Sequence, residues 1–227
     1  MTDRTRWTEK HLHCRFTNQS LLEQALTHRS ASKKNNERLE FLGDALLSFT
    51  IANELYKSQP DGSEGDLSRA RAALVNKTSL ASIGRRVEID SQIILGQGEL
   101  RSGGAQRSSA LADTVEALIG AVFLDQGYAA AEQLIILLFG ESLETLPDSA
   151  ALKDPKTKLQ EWLQGRGYPL PKYSVQSILG SDHNKTFEIV CAVEGQEACS
   201  TGRGSSRRGA EQDAAAAMLA VLTGERQ

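Results

Sequence analysis

The chain has 227 residues, 40% of them hydrophobic and 24% charged, with a formal net charge of −3. That length suits one large domain or two ordinary ones with packed cores, and the near-neutral balance gives no bulk electrostatic case for nucleic acid. The start, "MTDRTRWTEKHLHCRF", is charged and lacks an apolar signal-like stretch, and the longest apolar run, near "LIILLF", is too short to cross a bilayer, so a cytoplasmic protein with no membrane partner is expected.

From Thr8 to about Gly140 the hydrophobic pattern is helical. Helices are predicted over Leu21–Leu26, Glu37–Tyr56, Asp66–Arg85, Ser109–Phe123 and Ala129–Phe139. The stretches "KSQPDGSEG", "GQGELRSGGAQ" and "DQGY" break the pattern with turn residues. After "ESLETLPDSAALKDP" the pattern changes. Asp154 and Pro155 look like an N-cap and a first helical residue, opening a helix through "KTKLQEWLQGRG". Three β-rich stretches follow, "PKYSVQSIL", "KTFEIVCAV" and "EACSTGR", and an alanine-rich helix, "SRRGAEQDAAAAMLAVL", closes the chain. The expected fold class is therefore α+β in two domains: an all-α domain over 1–147, a linker over 148–153, and an α-β-β-β-α domain over 154–227.

The three cysteines, Cys14, Cys191 and Cys199, suggest no disulfide framework. Cys191 and Cys199 flank the turn "VEGQEA" and are placed to face each other across a hairpin, where we expect them reduced. "HLHC" gathers His11, His13 and Cys14, but no second ligand pair stands at zinc spacing.

Within "NNERLEFLGDALLSFTIANELY", Glu37, Glu40 and Asp44 fall within roughly 60° of one another on a helical wheel. Like charges at this spacing repel, and no lysine interrupts them. A solvated helix face would account for the stripe alone. The later segment "SSALADTVEALIGAVFLDQGY" carries Asp113 and Glu116 among Leu111, Val115, Leu118, Ile119, Val122 and Phe123, a pattern of burial on nearly all sides. Buried carboxylates need cations or strong hydrogen bonds. Arginine partners would satisfy them. Alternatively the two helices face each other and pool five acids around one hole, an oxygen-only set suited to Mg²⁺ or Mn²⁺.

"NERLEFLGDALLS", "SEGDLSRARAALV", "LGQGELRSGG" and "LADTVEALIGAVFLD" resemble, in order, the blocks of the bacterial ribonuclease III nuclease domain. "KDPKTKLQEWLQGRGYPLPKY" through "GRGSSRRGAEQDAA" is similar to the double-stranded-RNA-binding domain attached to that nuclease. The resemblance covers nearly the whole chain. It implies a Mg²⁺-dependent endoribonuclease, with Mn²⁺ as a substitute and no organic cofactor, that processes ribosomal RNA precursors and other transcripts. The positions matching Glu40, Asp44, Asp113 and Glu116 form the family's catalytic metal site, with Glu40, Asp113 and Glu116 as ligands and Asp44 acting through water. Glu37 and Glu64 match two further family acids near the cleavage site, Glu64 being read here as a loop residue. The resemblance also implies a homodimer whose two sites each cut one strand, leaving 5′-phosphates and short 3′ overhangs, with Phe41 inserted into the partner.

For the second domain the family pattern implies minor-groove contacts by Thr157, Gln160, Glu161 and His183. Independently of it, "GRGSSRRGAEQ" runs from a glycine-rich turn into a helix start, where free backbone N–H groups near Ser205 and Ser206 and the charges of Arg207 and Arg208 favour phosphate. Gly209 stands where the family commonly has lysine. From Asp154 onward nine Lys/Arg balance nine Asp/Glu, which predicts weaker, more salt-sensitive RNA binding than a basic version of the domain would show. Arg69, Arg101 and Arg107 flank the proposed acid site as further candidates for RNA contact. Two alternatives stand beside the nuclease reading: a non-catalytic duplex-RNA-binding protein, and an all-α Mg²⁺ enzyme acting on diphosphates.

Overall fold

A computed structural model describes residues 3–145, 153–180, 185–196 and 198–224. Packing divides the chain into two compact units, Met1–Leu152 and Lys153–Gln227.

The described part of the first unit is helical: α1 (Asp3–His11), α2 (Gln19–Leu26), α3 (Glu37–Ser58), α4 (Glu64–Leu74), α5 (Lys77–Arg86), α6 (Gln97–Arg101), α7 (Ser108–Gln126) and α8 (Tyr128–Glu144). Helix α7 is the centre of the unit, and α2, α3, α5 and α8 all pack on it. Its buried residues, among them Leu111, Val115, Leu118, Ile119 and Val122, meet Leu39, Leu47 and Ile51 of α3 and the apolar face of α5 in one continuous core.

The predicted helix over Asp66–Arg85 is two helices. Asn76 ends its continuity: its Oδ1 accepts from the Ser79 amide at 2.9 Å and caps a new start. Helix α4 begins earlier than expected because Ser63 and Asp66 form a capping box, each side chain taking the other's backbone N–H. "GQGELRSGGAQ", expected as a break, holds α6 and a short 3₁₀ turn over Gly104–Gln106. Helix α1 was not anticipated; Trp7 anchors it by donating its indole N–H to the Val87 carbonyl at 2.8 Å. In "HLHC", His11 lies 3.5 Å from Glu88 and Cys14 packs against the core.

Two close approaches fix how α3 crosses α7. A Cβ on Gly43 would lie 1.8 Å from the Glu116 carbonyl oxygen, and one on Gly120 would lie 2.3 Å from that of Leu39. The helices therefore touch backbone to backbone where these glycines meet.

The second unit orders α9 (Pro155–Gln164), β1 (Lys172–Leu179), β2 (Thr186–Ala192), β3 (Cys199–Gly204) and α10 (Arg207–Thr223). The strands form an antiparallel sheet, β1-β2-β3, with an irregularity between Val175 and Ser177. Leu159 and Leu163 of α9 and Ala214, Ala215 and Met218 of α10 close a small core with Cys191 and Val193. Cys191 pairs in register with Ser200, and Cys199 with Ala192. Adjacent positions point to opposite faces, so Cys191 is buried, Cys199 is exposed, and the expected face-to-face arrangement does not occur. All three cysteines are free thiols.

Candidate metal centre and nucleic-acid interface

The glycine crossing carries Glu40 and Glu116, which flank it, toward Asp113. One carboxylate oxygen from each of Glu40, Asp113 and Glu116 lies within 4.8 Å of the other two. The three line a cavity of about 800 Å³ together with Glu37, Asp44 and Phe41. Among the described residues this is the one group of three or more His, Cys, Asp or Glu side chains gathered tightly enough to hold an ion.

The electrostatics of the cluster are those of a site short of positive charge. Burial, then the charges of Asp44, Glu40 and Asp113, push the Glu116 carboxyl up to about 7. Glu40 is raised by burial and by Asp113. Asp113 is raised chiefly by burial, against the opposing pull of Lys77, His28 and Arg29. The buried-acid question therefore has a partial answer in Lys77, whose Nζ is 3.8 Å from Asp113 Oδ1, with a smaller contribution to Glu40 and Asp113 from Arg29. Lys77 and the more distant Arg29 leave the four carboxylates short of positive charge, and the oxygen-only donors fit a hard divalent cation better than zinc.

Asp44 is exposed at the edge of this group, one turn along from Glu40. Glu37 opens α3 at the rim, where Asn35 accepts from its amide at 3.1 Å and Arg29 lies 3.8 Å from its carboxylate. The neighbouring Asn36 is buried, and its Nδ2 has no partner among the described residues. Phe41 is 81% exposed on the same rim. Arg107 also lines the cavity, but Glu99 at 2.6 Å and Ser102 at 3.1 Å hold its guanidinium. Arg69 is tied to Asp66 at 2.8 Å, and neither it nor Arg101 lines the cavity.

Glu64 departs from expectation. It is the first residue of α4, not a loop residue; it accepts a hydrogen bond from Ser68 at 2.8 Å and lines a separate hollow beside Tyr56 and Leu67.

In the second unit, Thr157, Gln160, Arg207 and Arg208 share one hollow. Thr157 also serves the fold: its amide and hydroxyl donate to Asp154 at 3.0 Å each. Glu161 pairs with Lys153 at 2.7 Å. Ser206 caps α10 by accepting from the Gly209 amide at 3.1 Å, and Ser205 is exposed beside it. Glu211 takes up both Lys156, at 2.7 Å, and Arg207, at 3.1 Å. Arg208 has no ion-pair partner among the described residues. His183 lies outside the described residues.

The sequence reading missed Lys77, Gly43 and Gly120. An isolated glycine inside each of two apolar helices was an available signal for close approach. Nothing local marks Lys77, which reaches the acids only because α5 packs on α7.

Helical carboxylate centre and α-β-β-β-α unit each have counterparts. The ribonuclease-III-like family model matches residues 18–141, and the double-stranded RNA binding motif matches residues 155–222. Ribonuclease 3 of Nitrosococcus oceani is 49% identical over 229 residues, covering 100% of this chain and 98% of its own. Ribonuclease 3 of Vibrio cholerae is 50% identical over 208 residues, 92% of each chain. A structure of the ribonuclease III nuclease domain from Campylobacter jejuni, described for flexibility in a region involved in dimer formation, superposes with a TM-score of 0.58. It is 40% identical and covers 60% of this chain and 95% of its own. The chain belongs to the ribonuclease III family.

Proposed function

We propose that the protein is an endoribonuclease that hydrolyses phosphodiester bonds in double-stranded RNA, using Mg²⁺ held by Glu40, Asp113 and Glu116. The observation that carries the reading is the pooling of these three carboxylates at one open cavity in a chain whose other unit matches a duplex-RNA-binding motif. A binder without chemistry would gain nothing from acids set where phosphates must lie.

The bound ion would lower the pKa of water and offset charge on the phosphate oxygens. Glu40, Asp113 and Glu116 would hold it, and their mutual repulsion would favour its binding over an empty cluster. Glu116, whose carboxyl is raised to about 7, would hold the ion in its ionised form, so a proton competes for this position. Asp44, at the exposed edge of the cavity, would accept hydrogen bonds from a water and position it beside the ion. Glu37 stands at the rim, where it meets the flanking strand.

Residues 1–147 serve as the endonuclease, 148–153 as the linker and 154–227 as the RNA reader. Arg207 and Arg208, with Ser205, Ser206 and the free N–H groups of α10, receive phosphates. Thr157, Gln160 and Glu161 of α9, together with His183, are assigned the contacts to the minor groove. Two chains act as a homodimer in which Phe41 inserts into the partner and each site cuts one strand, leaving 5′-phosphates and short 3′ overhangs. The setting is the cytoplasm and the substrates are ribosomal RNA precursors and other transcripts.

The test is cleavage of a long perfect RNA duplex with Mg²⁺, with EDTA, and by Glu116→Gln, beside a gel shift. Metal-dependent shortening by the native protein, with the variant binding RNA but leaving it whole, is expected. Binding without cleavage by the native protein would replace this reading with the non-catalytic one.

A further inference from the structure

We propose that Lys77 is an exchangeable counter-ion of the acid cavity: its ammonium pairs with Asp113 while the carboxylates lack a divalent ion, and moves to a phosphate oxygen of RNA once they hold one. The proposal rests on the ribonuclease reading and gives that reaction a further substrate-contacting residue.

Lys77 has a fixed root and a free end. It is the first residue of α5, whose start is capped by Asn76 and whose apolar face, Leu80, Ala81, Ile83 and Gly84, is buried. Its own side chain is 62% exposed and lies 3.8 Å from Asp113, an ion pair too long to be a hydrogen bond. The cavity's other cations are differently engaged. Arg107 is held by Glu99 and Ser102, and Arg29 lies 3.8 Å from Glu37 at the rim and acts on Glu40 and Asp113 but not on Glu116. Lys77 is the cation whose charge bears on Glu40, Asp113 and Glu116 together.

A dication among those three carboxylates takes up most of their negative charge and repels the Lys77 ammonium. An ammonium about 6 Å from it in water weakens its binding by about tenfold, so the two cations compete for the same acids. A compact ammonium on a flexible four-carbon stem can leave without disturbing the helix. It remains within the cavity, where a phosphodiester laid against the carboxylates needs a compensating positive charge.

Mn²⁺ binding to the full-length protein without RNA, followed by loss of the free-ion EPR signal, separates this role from a structural one. Lys77→Met is expected to bind Mn²⁺ about tenfold more tightly than the native protein, and Lys77→Arg, which keeps the charge, to retain the native affinity. At saturating Mn²⁺, single-turnover cleavage of an RNA duplex by Lys77→Met should fall at least about tenfold although its site is fuller. Unchanged or weaker Mn²⁺ binding by Lys77→Met overturns the counter-ion role, and undiminished cleavage overturns the phosphate contact. A native protein that binds Mn²⁺ yet leaves the duplex whole overturns the ribonuclease reading, and the phosphate role with it.

Discussion

Replacing Gly43 with alanine sets two effects of opposite sign against each other. As a helix former, alanine should stabilise the middle of α3 by about 1 kcal/mol. In this fold, however, its methyl would lie 1.8 Å from the Glu116 carbonyl oxygen and 2.6 Å from the carbonyl carbon. Both are backbone atoms and cannot rotate aside, so α3 and α7 must part by at least about 1 Å. Overpacking of this kind costs about 3 kcal/mol, leaving a net loss of about 2 kcal/mol. At roughly 2–4 °C per kcal/mol the nuclease unit should melt about 4–8 °C lower. The same displacement separates Glu40 from Glu116, so Mn²⁺ affinity should drop while the RNA-binding unit keeps its own transition. Calorimetry and an Mn²⁺ titration of the full-length variant provide the check. A melting temperature at or above the native value, with unaltered Mn²⁺ binding, would refute the backbone-contact origin of the site.

The raised Glu116 carboxyl gives metal binding a pH profile: below about pH 7 a proton competes, and Mn²⁺ affinity should fall about tenfold per pH unit, levelling off above it. In metal-free protein the same group binds more protons folded than unfolded between its ordinary value of 4.5 and about 7, so its contribution is present at low pH and lost as pH rises through 7. Glu116→Gln should flatten that part of the melting profile. Phe41→Ala removes a ring that is 81% exposed in one chain; sedimentation should show a weaker dimer with an intact monomer fold, and an unchanged dimer would remove Phe41 from the contact. Arg208→Ala should lower the slope of log RNA affinity against log salt by about one phosphate contact, and Arg207→Ala by less because Glu211 already engages that guanidinium; equal slopes would contradict the distinction.

Helical periodicity was enough to place the acid stripe of α3 and the buried helix α7, because both are local patterns. It did not resolve α4 from α5: "ALVNKTS" continues the apolar spacing, and only the Asn76 cap marks the break. The early start of α4 was legible in "SEGD", a capping box, and with it the helical setting of Glu64. Cys191 and Cys199 were misplaced by one register step, which sends a side chain to the opposite face. That register depends on how β2 pairs with β3, a long-range fact. Lys77 and the depth of the α3–α7 contact are likewise products of packing, so the site's acids were readable while its cation and its spacing were not.

The cavity's rim is stitched across sequence-distant loops. Ile94 donates its amide to the Leu26 carbonyl at 2.7 Å and accepts the His28 amide at 2.9 Å. Ser30 Oγ accepts the Gly96 amide at 3.0 Å and lies 2.8 Å from His28 Nδ1. The segment entering α3 and the segment entering α6 are therefore expected to open as one cooperative unit. The amides of His28, Ile94 and Gly96 should share a single opening free energy in native-state hydrogen exchange. A ligand that orders either edge should therefore protect the amides of both, including those it does not touch.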